Sequence, residues 1–170
     1  MKAYIAAILI AGVIAGTGIG MAASAILWRG NVGSFHGRIT VEAPGATVEG
    51  FGTETLDPVE WTNTEIQITT TSFTVSVSGK DPVILTLWVN TTTSQGLEAL
   101  QTWDLAFRYQ SGGYPEELQS ISYSNPTQNV SFMLEPGNYT IYVDFQYTPN
   151  PNLQSTTDFN LDVEGLVTGT

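Results

Sequence analysis

The sequence predicts an all-β fold: an antiparallel β-sandwich of jelly-roll or immunoglobulin type, preceded by an apolar N-terminal segment and a tail. Three observations carry this prediction. Downstream of Gly37 apolar residues recur every second position, the pattern of strands with one buried face. Clusters of Pro, Gly, Asn and Asp punctuate these runs as turns do. Only one short stretch, after Ser94, offers a helical alternative to that alternation.

The first element is apolar. From Ala3 to Trp28 no residue is charged, and Lys2 alone supplies positive charge ahead of the run. Ala23 and Ala25 form the small-residue pair read by a signal peptidase, so the expectation is a secretory leader over residues 1–25, cleaved after Ala25. A retained transmembrane helix is the competing reading, because 26 residues suffice to span a bilayer and Gly12, Gly16 and Gly20 have the spacing of close helix packing in lipid. Residues 26–36 then form a tail and residues 37–170 the sandwich. In an extended tail Ile26, Trp28 and Val32 share a face with Gly30 between them, and Phe35 follows on the other face. An apolar strand without a hairpin partner adds itself to its own sheet or to a neighbour's.

Within the sandwich, Arg38 to Ala43 alternates and stops at Pro44-Gly45, and Gly50, Gly52, Asp57 and Pro58 mark a loop. Glu65 to Val77 places Ile66 and Ile68, then Phe73, Val75 and Val77, opposite Thr and Ser, as one bent strand or two short ones. Val83 to Val89 is apolar on both faces and reads as a central strand. A helical turn near Leu97 and Leu100 leads into a strand carrying Trp103, Leu105, Phe107 and Tyr109. Strands over 118–123, 130–134 and 139–147 follow, the last two joined by a type II turn at Pro136-Gly137. A final strand over 157–167 buries Phe159, Leu161 and Val163.

Composition narrows the function classes. The chain of 170 residues has 16 acidic and 5 basic residues, a net charge of −11, which opposes binding to phosphate backbones and favours solubility. No cysteine is present, so disulfides and thiolate metal sites are excluded. The only histidine, His36, sits in the tail and is expected to be an exposed linker residue. No nucleophile elbow, H-E-x-x-H motif or marked pair of carboxylates appears, so the chain is expected not to be an enzyme. No cofactor is expected. Calcium is the one metal the composition suggests, through Asp158, Asp162 and Glu164 or Glu116-Glu117, though none has the spacing of a dedicated loop. Trp61, Trp88 and Trp103 suit either a sugar platform or, in alternating strands, the core. Asn90, Asn129 and Asn138 head N-x-S/T sequons at strand ends or turns, which supports export.

With these residues in view, the leader, the tail and the stretch Gly33-Ser34-Phe35-His36-Gly37-Arg38-Ile39-Thr40-Val41 resemble the start of TasA-like biofilm-fibre subunits and of the archaeal bundling pilins similar to them. Phe35, Gly37, Ile39 and Val41 match the aromatic, the glycine and the alternating first strand of that family, with the aromatic one residue closer to the glycine. The resemblance covers about the first 45 residues by motif and the remainder by architecture. It implies a jelly-roll subunit of an extracellular filament that polymerises by donor-strand exchange. Ile26, Trp28, Gly30, Val32 and Phe35 would then form the donor strand, Gly33 and Gly37 the hinge. The implied partner is a second copy of the chain, in filaments that could bundle laterally. Two alternatives stay open: a type IV pilin-like subunit with the apolar helix in the filament core, and a membrane-anchored cell-surface binding domain.

Overall fold

A computed structural model describes residues 33–56, 66–109, 117–150, 152 and 158–170. The leader and residues 26–32 of the tail, including Ile26, Trp28, Gly30 and Val32, lie outside the described residues, as do Trp61 and Glu116. Among the described residues there are ten strands: β1 Gly33–Val41, β2 Ala46–Glu49, β3 Thr53–Leu56, β4 Gln67–Val77, β5 Val83–Val89, β6 Leu100–Tyr109, β7 Glu117–Ser122, β8 Val130–Leu134, β9 Gly137–Pro149 and β10 Phe159–Gly169. A single turn of 3₁₀-helix at Leu97–Ala99 precedes β6.

The strands form two five-stranded sheets, in the order β3-β1-β10-β5-β8 at the front and β2-β4-β9-β6-β7 at the back. Both sheets contribute to one core, from Phe35, Leu85, Leu87, Phe132, Leu161 and Val163 in front to Phe73, Val75, Leu105, Phe107, Ile141 and Val143 behind. Period-two alternation produces this directly: β5 and β8 turn alternate residues inward, and Phe159, Leu161 and Val163 of β10 are buried as their spacing requires. Every described pairing is antiparallel except one. β1 runs parallel to β10, from Gly33 opposite Phe159 to Val41 opposite Val167.

The structure departs from the sequence expectations at several points. β1 begins at Gly33, so the tail-to-domain boundary at residue 36 falls inside a strand. The loop expected around Gly50 and Gly52 contains two short strands, β2 and β3, each only four residues long. β4 is one continuous strand, in unbroken register from Gln67 opposite Tyr147 to Val77 opposite Gly137. Without a bulge its faces cannot switch, so Phe73, Val75 and Val77 point inward while Ile66 and Ile68 are 63% and 61% exposed. Gly137 has φ +156°, far from the value near +80° of a type II turn, and opens β9.

Candidate functional site

The parallel pair singles out β1. It lies between β3, to which it is antiparallel, and β10. Those two neighbours therefore run antiparallel to each other, and any strand placed between them must be parallel to one. Neighbouring strands sit about 4.8 Å apart, so withdrawing β1 would leave a gap of roughly 9.6 Å in mid-sheet. Two rows of backbone N–H and C=O groups would then face each other without partners.

The inner face of β1 is held by aromatic and steric contacts. Phe35 is 2% exposed and meets the edge of Phe51 at 5.8 Å between ring centroids; Phe51 in turn packs on Phe73 at 4.5 Å. Gly37 sits under the Phe51 ring, and its amide donates to the Gly52 carbonyl at 2.9 Å. Ile39 lies opposite Gly165 of β10.

The outer face is a polar ladder built by register. Ser34 donates to Asn160 Oδ1 at 3.1 Å, His36 Nδ1 lies 3.6 Å from Asp162 Oδ1, and Arg38 pairs with Glu164. The polar groups of β1 that carry or can take positive charge thus face the acidic residues of β10. Each pair is partly solvated and stabilises by about 1 kcal/mol or less, so the ladder aligns the strand more than it holds it. Asp162 is further tied in by Asn160 Nδ2 at 2.7 Å and by its own amide donating to Ser94 Oγ at 3.0 Å. A polar recess of about 330 Å³ lies along this ladder, lined by His36, Arg38, Thr93, Asp162 and Glu164. His36 is therefore a strand residue paired across the sheet, where a linker position was expected.

Of the anticipated donor and hinge residues, the described ones belong to a sheet of their own chain. Phe35 is a core side chain. Gly33 pairs with both Phe159 and Leu56, and Gly37 provides room for a ring, so in this fold both are strand residues. Among the sequon residues Asn129 and Asn138 are exposed, while Asn90 is half-buried and its Oδ1 accepts from the amides of Thr92 and Thr93. Trp103 is buried in the core and Trp88 half-buried on the outer front face. Among the described residues no group of three or more His, Asp or Glu is arranged to hold a metal ion.

Sequence reasoning missed Phe51, Gly165 and β3. The signal for Gly165 is present, since a lone glycine inside an apolar strand marks a close approach. Phe51 sits between two glycines and gives no such signal.

A second charged cluster lies on the outer face of the back sheet. Arg108 Nε donates to Asp144 Oδ2 at 2.7 Å, Thr70 Oγ1 donates to Asp144 Oδ1 at 2.7 Å, and the guanidinium lies 4.8 Å from the centre of the Tyr142 ring. Burial pushes the Asp144 carboxyl up, but the hydrogen bonds from Arg108 and Thr70 and the Arg108 charge outweigh it and hold the group below its ordinary value. Asp104, on the same face, is pushed up by burial. At one end of the sandwich an apolar recess of about 400 Å³ is lined by Leu97, Leu100, Trp103, Tyr123 and Pro126.

No known protein-family model matches the chain, and no curated protein sequence matches it.

Proposed function

We propose that the chain is the structural subunit of an extracellular pilus or biofilm-matrix filament, polymerising by exchange of its N-terminal strand into the sandwich of the next subunit. The observation that carries this reading is the position of β1, the first described strand, inserted between β3 and β10 as the only parallel partner among the described strands. Without β1 and β2, the remaining strands follow the order of an eight-stranded jelly roll, β10-β5-β8 and β4-β9-β6-β7 with β3 one strand-width from β10. In this reading β1 is an addition to a framework that would otherwise carry an open slot.

β1 is joined to β2 through residues 42–45 and, among the described strands of its sheet, lies only between β3 and β10, so it can leave its slot without unthreading another described strand. The same residues of a neighbour make the same contacts, so exchange trades equivalent interactions and costs little at equilibrium. Donor and acceptor surfaces differ, so the contact is heterologous and propagates as an open filament. The apolar residues Ile26, Trp28 and Val32, directly upstream of β1, extend the donor.

The test is assembly of the chain beginning at Ile26. Filaments visible by electron microscopy are expected, and a chain beginning at Ala46 should remain unassembled. A wild-type chain that stays monomeric at high concentration, on prolonged incubation with preformed seeds from the native cell surface, refutes the reading.

A further inference from the structure

We infer that the slot between β3 and β10 recognises its occupant by a steric code, Phe35-x-Gly37-x-Ile39, and that in an assembly the occupant is the Gly33–Val41 segment of a second copy. The part concerning the second copy rests on the strand-exchange reading above.

The code is a pair of interlocking bumps and notches. A Cβ placed on Gly37 would lie 2.6 Å from Cε1 and Cζ of Phe51, so the ring, packed against Phe35 and Phe73, would have to shift to admit it. Gly37 is not among the glycines with positive φ, so what the position demands is empty space and not an unusual backbone. The entering strand thus supplies a notch for an acceptor ring. Two residues on the roles reverse. A Cβ on Gly165 would lie 2.9 Å from Cγ1 of Ile39 and 2.7 Å from Cδ2 of Leu87, so the acceptor supplies a notch into which Ile39 packs. Phe51 and Gly165 both lie downstream of β1 and stay with the acceptor when β1 is exchanged.

Together these features admit one register. A slip of one residue turns Phe35 to solvent and Arg38 toward the core. A slip of two keeps the faces but drives Phe35 or Ile39 against the Phe51 ring. The outer ladder of Ser34 with Asn160, His36 with Asp162 and Arg38 with Glu164 favours the same alignment. A side chain at the central position forces the Phe51 ring to move, and a strand without bulk two residues later leaves the Gly165 notch empty, so both are held less tightly.

The experiment uses the full chain and a dye-labelled peptide of residues 33–41. In a Gly37→Ala chain the resident β1 is a poor occupant of an unchanged slot. That chain is expected to capture the wild-type peptide about tenfold more than the wild-type chain does, and to discriminate against a Gly37→Ala peptide by a similar factor. In a Gly37→Ala/Phe51→Ala chain, which lacks the ring, the discrimination should vanish. Should the single variant fail to fold, recovery of a folded chain by the double variant is the expected result.

Equal capture of both peptides by an acceptor that retains Phe51, capture of neither, or a double variant no more stable than Gly37→Ala overturns the inference. The two readings fail separately. Selective capture with no filaments from the wild-type chain leaves the code standing and refutes the filament; filaments with equal capture of both peptides do the reverse.

Discussion

Replacing Phe35 by alanine tests whether β1 is seated as described. The side chain is 2% exposed, its ring edge meets Phe51, and its position in register places it opposite Leu161. Truncating a buried Phe to Ala costs about 3–5 kcal/mol, and the edge-to-face contact falls within that sum or adds up to about 1 kcal/mol. A value near 4 kcal/mol is expected, because Phe51 is only partly buried and can relax into part of the vacated space. The assay is urea unfolding of the monomer, where a slope of about 2 kcal/mol per molar converts the loss into a midpoint shift of roughly 2 M. His36→Ala, one residue on and turned to the outer face, is the control and should change stability by no more than about 0.5 kcal/mol. A loss below about 1 kcal/mol for Phe35→Ala, or equal losses for the two variants, would mean that β1 is not in the slot in this register.

Further tests address the rest of the sandwich. Ile68→Thr, on the outer face, should be close to neutral, whereas Val75→Thr on the same strand should cost about 1–3 kcal/mol; the opposite order in thermal unfolding would require a bulge in β4. The Gln119 side chain donates to the Ser131 carbonyl at 2.6 Å and accepts from the Ser131 amide at 3.1 Å, covering the free edge of β8, so Gln119→Ala should speed hydrogen exchange at the Ser131 amide by roughly tenfold. An unchanged Ser131 rate would show that the clasp does not persist in solution. For Asp144 the folded value lies below the unfolded one, so its stabilisation is present above the unfolded value and disappears as pH falls through the folded one. Asp144→Asn should therefore flatten the acid limb of the stability profile below about pH 4. Asp104 has the opposite sign: its stabilisation is present below the unfolded value and lost as pH rises through the folded one, so Asp104→Asn should raise stability at pH 7 relative to pH 3. Calorimetry across that range reads both, and parallel profiles for wild type and variants would contradict the assignments.

Much of the architecture was legible because alternation is a local signal. β5 and β8 coincide with their apolar runs, β7, β9 and β10 lie within two residues of theirs at each end, and β6 starts three residues earlier than its alternation, at Leu100 where a helical turn was expected. The misses share a cause. β2 and β3, at four residues each, are too short to show a period, and they exist because β4 and β1 offer them edges. Ile66 and Ile68 look like core residues because a strand's face is set by continuity with Phe73, which apolarity alone does not report. At Gly37 the fold also uses the missing side chain, for the Phe51 ring, a use that glycine's freedom to bend does not announce.

By itself the sequence determined the all-β fold class, the placement of the long strands, the acidic composition and the apolar character of residues 3–28. These follow from periodicity, composition and turn chemistry over neighbouring residues. Only the tertiary structure decided that the first described strand lies beside the last, parallel to it and 126 residues away along the ladder, and that Gly37 and Gly165 make room for Phe51 and Ile39. Such pairings depend on which edge is free and which volume is empty once both sheets have formed, and no local pattern in the chain carries that information.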